Sequence, residues 1–156
     1  NKKNFQCFLA NDNSNGQVVI SGKIKDLDKL IIELKKLSIK NIKLPVSAPF
    51  HCSLMHPATK IMDKQLNDVK FSIPNNMIVS NVTAEPSNDP DKIKKLLIEQ
   101  IEKPVRWRES ILNMIKLGCN EFIEIGPGKV LSRKEKRIDR NVKIIQINNL
   151  EDLQNL

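Results

Sequence analysis

The sequence predicts an α/β fold in which helices pack around a largely parallel sheet. Amphipathic helical patterns alternate along the chain with short apolar runs at residues 77–82, 121–125 and 142–147, each bounded by turn-forming residues. Runs of this length are typical of buried strands. The chain has 156 residues, of which 40% are hydrophobic and 28% are charged. It is therefore long enough to bury one substantial core.

The first third of the chain predicts a unit of its own. Residues 4–10 alternate in polarity and residues 17–21 carry a β-branched run, so with the asparagine-rich turn between them they predict a β-hairpin. Leucine and isoleucine recur at helical spacing over residues 26–37, and residues 39–46 are predicted to be extended. This order resembles a ferredoxin-like unit without its opening strand and helix. We therefore assign residues 1–46 to a partial ferredoxin-like small subdomain.

Three more helices are predicted in the remainder of the chain. The first opens at His56, where a proline follows. Asp91 is placed to cap the second, which Pro104 ends, and the third stops at Gly118. Residues 126–128, with the sequence Gly-Pro-Gly, predict a tight turn between a strand and the segment that follows it.

The net charge of the chain is compatible with several classes of partner. The chain carries 26 Lys and Arg against 18 Asp and Glu, which gives a net charge of +8. Such a balance fits nucleic acid, an anionic membrane or an acidic protein. The lysines are spread along the whole length, which favours a generally basic surface over a dedicated nucleic-acid arm.

The composition also excludes several kinds of site. Cys7, Cys52 and Cys119 lie far apart, which indicates reduced thiols in a cytosolic or organellar compartment and no disulfide framework. His51 and His56 are five residues apart and do not share a helix face, so no metal site is expected. No apolar run is long enough to span a bilayer, and the first residues do not resemble a signal peptide, so no membrane association is expected.

His51 is the main candidate for chemistry. Pro45 and Pro49 stiffen the segment that leads to it, and a helix start follows. A histidine held in this way suits a general base because histidine titrates near neutral pH. The alternative is a histidine that caps the helix or fills a turn. A partner nucleophile is not expected on this chain, because neighbouring side chains such as Cys52 point away from His51 and no G-x-S-x-G motif occurs.

Two other motifs contain residue types that are found in anion-binding sites. Residues 126–129 lack the spacing of a phosphate-binding loop, and Val130 follows where such a loop has Ser or Thr, so a tight turn is favoured. Arg106, Trp107 and Arg108 have the chemistry to stack on or clamp an anion. A single Trp at a helix start is more often part of a core.

Five segments together resemble the C-terminal half of a malonyl-CoA:acyl-carrier-protein transacylase. They occur in the order and at the spacing of that family, over about residues 5 to 148, and they are residues 13–22, 44–55, 80–83, 104–107 and 124–131. The resemblance implies part of an α/β-hydrolase-like acyltransferase core, with residues 47–156 as the C-terminal part of its large subdomain.

The resemblance also implies an activity. A serine outside this chain would take malonyl from malonyl-CoA and pass it to the phosphopantetheine thiol of an acidic acyl carrier protein in type II fatty-acid synthesis. His51 would be the base of this ping-pong transfer, and the main-chain carbonyl of Leu117 would orient it. Phe50 and Asn13 would line the substrate cleft, and Lys40 would meet the carrier protein. Malonyl-CoA enters as a substrate, and no bound cofactor, metal, nucleic acid or membrane is implied.

Two departures from the family limit what this chain does alone. The nucleophilic serine and the oxyanion hole belong to the N-terminal half, so we expect the full-length parent to be the enzyme and this chain by itself to be inactive. Residues 132–135 differ from the Ser-Gly and apolar residues that are usual in the family. The expected compartment is the cytoplasm or an organelle stroma (plastid, apicoplast or mitochondrion).

Two alternative functions stay open at this point. One is a non-catalytic, basic ferredoxin-like module that binds an acidic protein or RNA. The absence of aromatic pairs on the predicted strands counts against RNA, because base stacking uses such pairs. The other is the acyltransferase domain of a larger synthase.

Overall fold

A computed structural model describes residues 5–155 and has the predicted mixed α/β character. Within that range it contains six α-helices, a 3₁₀ turn and six strands. In chain order the elements are β1 (Cys7–Ser14), β2 (Gln17–Gly22), α1 (Ile24–Lys36), the 3₁₀ turn (Ser53–Met55), α2 (His56–Asn67), β3 (Ile78–Val79), β4 (Pro86–Ser87), α3 (Pro90–Glu99), α4 (Trp107–Lys116), β5 (Glu121–Ile125), α5 (Val130–Ile138), β6 (Lys143–Ile147) and α6 (Leu150–Gln154). The helix α6 was not predicted.

The predicted hairpin is present, with a different first strand. β1 pairs antiparallel with β2, and the turn between them contains Gly16 at a φ of +74°, in the left-handed region that favours glycine. β1 begins later than predicted and continues through the asparagine-rich segment as far as Ser14. Asn4, the first residue of the predicted strand, lies outside the described residues.

Tertiary contacts explain why β1 extends into polar sequence. Val105 pairs with β1 through two main-chain hydrogen bonds, Asp12 N–H to Val105 O at 2.9 Å and Val105 N–H to Ala10 O at 2.8 Å. The guanidinium of Arg108 then binds the Asp12 carboxylate through both of its oxygens at 2.7–3.1 Å. The hairpin is thus joined to the start of α4 by backbone and by charge.

The sheet is smaller than predicted. Among the described residues there are three two-stranded sheets, formed by β1 and β2, by β3 and β4, and by β5 and β6. Only β5 and β6 are parallel; they pair in register from Glu121 opposite Lys143 to Ile125 opposite Ile147, with α5 as the crossover. The strand predicted at residues 77–82 is reduced to the two residues of β3, which pair antiparallel with β4.

One prediction for the first third of the chain needs correction, and another is confirmed. Residues 39–46 form no strand, and most of their side chains are exposed. Extended sequence becomes a strand only where a partner edge is available, and no pairing to this segment is seen within the described range. The helix α1 forms as predicted, but none of its residues is fully buried.

The helix boundaries follow local capping chemistry. α3 begins before Asp91, because the carboxylate of Asp89 accepts the main-chain N–H groups of Asp91 at 2.9 Å and Lys92 at 3.2 Å. Asp89 is therefore the N-cap, and Pro90 occupies the first helical position that prolines favour. At the other end of the next helix, Gly118 has a φ of +100° and terminates α4 as predicted.

The core includes the packing of α4 against β1 and α5. The buried apolar residues are Ala10, Ile93, Leu96, Val105, Ile111, Val142 and Ile147, among others. Ile93 and Leu96 lie on the buried side of α3, and Ile111 lies on that of α4. None of the helices in the part of the chain that is described has the length and apolar character to cross a membrane.

Ile111 provides a direct test of this core. It is 0% exposed, whereas its neighbour Leu112 on α4 is 42% exposed. We expect Ile111→Ala to lower the free energy of unfolding by about 2–5 kcal/mol, because it removes buried methylene groups and leaves a cavity. Urea unfolding measures the loss. Leu112→Ala is the matched control, with an expected loss below about 1 kcal/mol, and equal losses in the two variants would contradict the described packing.

Candidate functional site

His51 sits in a sharp turn just before α2. Its φ is +58°, in the left-handed region that costs a non-glycine residue about 1–2 kcal/mol. The adjacent Cys52 is 2% exposed, and its Sγ donates a hydrogen bond to the carbonyl of Pro49 at 3.1 Å. The thiol is therefore buried inside the turn and hydrogen-bonded to its backbone. This agrees with the expectation that Cys52 is not a nucleophile for His51.

The ring of His51 is held by a main-chain carbonyl. Its Nδ1 lies 2.8 Å from the carbonyl oxygen of Gln100, at the end of α3. Because a carbonyl only accepts, the contact assigns the proton of the neutral ring to Nδ1 and leaves the lone pair of Nε2 available. This is the geometry of a general base whose working nitrogen is Nε2.

The orienting carbonyl differs from the one predicted. The sequence interpretation assigned this role to Leu117, which lies at the end of α4 and is 65% exposed. The oxygen in contact with His51 belongs to Gln100 instead. A main-chain acceptor was predicted correctly, and the residue that carries it is corrected.

The position of Gln100 at the end of α3 explains why its carbonyl is free. The last carbonyls of a helix have no intrahelical partner, and they carry the negative end of the helix dipole. Gln100 N–H still closes the last turn on Leu96 O at 3.0 Å, so the residue is fixed. A negative helix terminus also complements the positive charge that an imidazole ring gains when it accepts a proton.

A second layer of contacts holds Gln100. The side-chain amide of Asn81 donates to Gln100 Oε1 at 3.0 Å, and the carbonyl of Asn81 accepts the N–H of Arg106 at 3.0 Å. The guanidinium of Arg106 donates to the carbonyls of Val82 and Thr83 at 3.2 and 3.1 Å, and it also binds Glu109. These contacts tie the loop after β3 to the start of α4.

The same contacts decide between the two interpretations of the Arg-Trp-Arg motif. Arg106 is engaged with protein carbonyls and a carboxylate, and Arg108 is engaged with Asp12. Trp107 is partly buried, with its Nε1 shielded from solvent. The motif therefore has a structural role, as the core interpretation predicted, and does not clamp an anion.

A cavity of about 170 Å³ is lined in part by the orienting residue, Gln100. Asn81 and Gln100 form its polar edge, and its mainly apolar walls are Ile78, Val79, Ile93, Leu96 and Leu97. The residue whose carbonyl contacts His51 therefore also lines an apolar cavity.

The other predicted site residues differ in their exposure to solvent. Phe50 is the chain neighbour of His51 and is 46% exposed. Asn13 lies in β1 and is 4% exposed, with its Oδ1 buried and unpartnered among the described residues. Lys40 is exposed in the segment after α1.

The glycine-rich turn is structural, as predicted. The N–H of Gly128 donates to Asn148 Oδ1 at 2.8 Å, and the first N–H groups of α5, those of Leu131 and Ser132, donate to the carboxylate of Glu124 at 2.9 and 2.8 Å. A protein carboxylate therefore occupies the place where a phosphate would bind at a helix N-terminus. Burial alone would raise the pKa of Glu124, but these bonds and that from Ser132 Oγ together lower it.

The divergent segment after the turn is the helix α5. This helix packs against β1 and α4, and its Glu135 is 5% exposed. Burial, and then the negative charge of Glu124, raise the pKa of Glu135. Within residues 5–155 no cluster of His, Cys, Asp and Glu is arranged to hold a metal ion.

Sequence reasoning missed the two residues that set the ring of His51, Gln100 and Asn81. A signal was present, because Pro104 predicts a helix end just before it and hence free carbonyls near residue 100. A main-chain carbonyl has no residue type of its own, so the sequence could not say which one faces the histidine.

Solved structures of other proteins identify the class of fold to which this chain belongs. Solved structures superpose on nearly the whole chain, among them an acyl-carrier-protein-S-malonyltransferase from Bartonella henselae with a TM-score of 0.90 and 38% identity, covering 96% of this chain and 48% of the other. A second, from Clostridium perfringens, has a TM-score of 0.90 and 42% identity over 96% of this chain and 47% of the other. The fold is therefore that of an α/β acyltransferase core.

The relatives by sequence carry a narrower name. The malonyl CoA-acyl carrier protein transacylase of Bacillus subtilis (strain 168) is 41% identical over 148 residues, 94% of this chain and 46% of the relative. That of Synechocystis sp. is 35% identical over 98% of this chain and 52% of the relative. The chain is thus related to the malonyl CoA-acyl carrier protein transacylases, as the five motifs indicated. It spans about half the length of the curated relatives it matches, and no family profile matches it.

The strained turn yields a test that does not depend on activity. At the φ of His51, glycine avoids a cost that alanine pays, so we expect His51→Gly to be more stable than His51→Ala by about 0.5–1 kcal/mol in urea unfolding. The control is Ala58 in α2, where Ala58→Gly should lower stability. A His51→Ala variant as stable as His51→Gly would show that the turn is not left-handed.

Proposed function

We propose that this chain supplies the base half of a malonyl-CoA:acyl-carrier-protein transacylase. The observation that carries the proposal is the contact between His51 Nδ1 and the carbonyl of Gln100, which leaves Nε2 available as a base. The similarity to transacylases over nearly the whole chain supports the choice of reaction. A structure at a TM-score of 0.89 and 32% identity is of a type II PKS acyl-carrier protein in complex with its malonyl-transacylase, which supports the choice of acceptor.

The first half-reaction loads the enzyme. His51 Nε2 takes the proton of a serine hydroxyl as the serine oxygen bonds to the thioester carbon of malonyl-CoA. The imidazolium that forms keeps its Nδ1–H on the carbonyl of Gln100, whose partial negative charge stabilises it. Collapse of the tetrahedral intermediate breaks the carbon–sulfur bond, and the departing CoA thiolate takes the proton from Nε2.

The second half-reaction runs through the same atoms in reverse. The phosphopantetheine thiol of the carrier protein gives its proton to Nε2, and its sulfur attacks the malonyl-serine ester. The serine oxygen leaves and recovers the proton. The serine and the donors that stabilise the oxyanion are proposed to come from the N-terminal half that the resemblance implies, which is therefore the chain's first partner.

Phe50, Asn13 and Lys40 are proposed to contribute to the binding of the substrates. Phe50, half exposed beside His51, would face the acyl group, and Asn13 would support the cleft from behind because it is buried. Lys40 is exposed and suits a contact with an acidic carrier protein, which the net charge of +8 would also attract. Malonyl-CoA takes part as a substrate, and the mechanism calls on no bound cofactor.

The subdomain boundary and the compartment are part of the same proposal. We infer that residues 1–46 belong to a ferredoxin-like small subdomain and residues 47–156 to the large one, supported by the hairpin and α1 in the first segment. The cysteines within the described residues are free thiols, which supports a reducing compartment, the cytoplasm or an organelle stroma. The alternative of a basic module that binds RNA or an acidic protein finds no support among the relatives.

Two substitutions in the full-length parent test the role of His51. We expect His51→Ala to lower malonyl transfer by about 10²–10⁴-fold, the usual contribution of a general base. Gln100→Ala should retain transfer within about fivefold, because the orienting oxygen belongs to the main chain. The measurement is malonyl loading by intact mass, followed by transfer to carrier protein. A His51→Ala protein that loads and transfers at the unsubstituted rate would refute the proposal.

A further inference from the structure

The second histidine of the chain, His56, contacts the same segment as His51, at the end of α3. His56 Nδ1 lies 2.9 Å from the carboxylate of Glu102, two residues beyond Gln100, where His51 is bound. His51 and His56 flank the 3₁₀ turn, so this turn touches the segment after α3 at two points. The sequence places His56 at the start of a helix and does not support it as a metal ligand, so it has no further predicted role.

The carboxylate of Glu102 lies beside the first turn of α2. This helix has no side-chain N-cap of its own, and no acidic residue lies in its first turn. Hydrogen bonds from Thr59 and then from His56, both in that first turn, lower the pKa of Glu102 and keep it ionised. A carboxylate from a neighbouring segment therefore supplies the negative charge that a helix N-terminus favours.

Within the described residues, His51 and His56 both join this turn to the residues that follow α3. The backbone of His51 is strained, and the thiol of Cys52 bonds within the same turn, to Pro49. During catalysis the His51 ring gains and loses a proton at Nε2, whereas the contact between His56 and Glu102 takes no part in these proton transfers. A tether that does not involve the reacting ring would keep the two segments in place.

We propose that His56 and Glu102 form a positioning clasp that holds the His51 turn against the end of α3, so that the Nδ1 contact with Gln100 persists through the proton transfers. Neither residue of the clasp touches the substrate. The proposal rests on the proposed function, because it assigns a positioning role within the same acyl transfer.

The clasp predicts a particular set of kinetic effects in the full-length protein. Glu102→Gln and His56→Ala should each lower kcat for malonyl transfer by about tenfold and change KM for malonyl-CoA by less than about twofold, because the ring is misplaced after the substrate is bound. The double variant should be no slower than either single variant. His56→Gln should retain kcat within about twofold, because its amide still donates to the ionised carboxylate of Glu102, whereas the uncharged amide of Glu102→Gln is a weaker acceptor for His56.

Glu99→Gln is the matched control. It removes the same charge three residues away on the same segment, where Glu99 pairs only loosely with Lys95 at 3.8 Å. It should leave kcat unchanged. The clasp is wrong if Glu102→Gln behaves like Glu99→Gln, or if the losses of the two single variants add in the double variant.

A second readout separates the clasp from the proposed function. Solvent exchange of the His51 Nδ1 proton, followed by NMR, should accelerate about tenfold in Glu102→Gln and His56→Ala but not in Glu99→Gln. This result supports the clasp even if the unsubstituted protein transfers no malonyl, an outcome that would refute the proposed reaction alone. Unchanged exchange in both clasp variants would overturn the clasp whatever the activity.

Discussion

The hydrogen bond between His51 and the carbonyl of Gln100 is the contact on which the site depends. It decides which ring nitrogen carries the proton and therefore which one is available as a base. The main-chain acceptor is provided by the end of a helix, where carbonyls are unpaired and the dipole is negative. The side chain of Asn81 donates to Gln100, and the carbonyl of Asn81 accepts the N–H of Arg106. The loop after β3, the end of α3 and the start of α4 therefore all contribute to the position of this carbonyl oxygen.

Using a main-chain oxygen rather than a carboxylate has physical consequences. A carbonyl cannot change its charge, so the orientation of the ring does not depend on the protonation state of its partner. The position of the acceptor is instead fixed by the fold, through the last turn of α3 and the proline that follows it. His51 itself has a left-handed backbone conformation, which is strained for a residue other than glycine. Folded proteins often retain strain of this kind at functional sites.

The sequence predicted the elements with strong local signals and missed those set by tertiary partners. The hairpin, α3, α4 and the parallel strands follow from periodicity, and five motifs identified the relatives and His51. Residues 39–46 do not form a strand, because β propensity does not provide a partner strand. Asp91 is the predicted cap of α3, but Asp89, on the other side of Pro90, accepts the helix N–H groups. The acceptor of His51 was assigned to Leu117 instead of Gln100, because every residue has the same carbonyl. The helix α6 was overlooked although Asn149 caps it through the N–H of Asp152 at 2.9 Å.

The tautomer of His51 is the most direct test of this account. The ¹⁵N chemical shifts of its two ring nitrogens, measured in histidine-labelled protein at a pH where the ring is neutral, identify the nitrogen that carries the proton. The structure predicts a protonated Nδ1 and an unprotonated Nε2. A ring protonated on Nε2 would contradict both the contact with Gln100 and the assignment of His51 as the base.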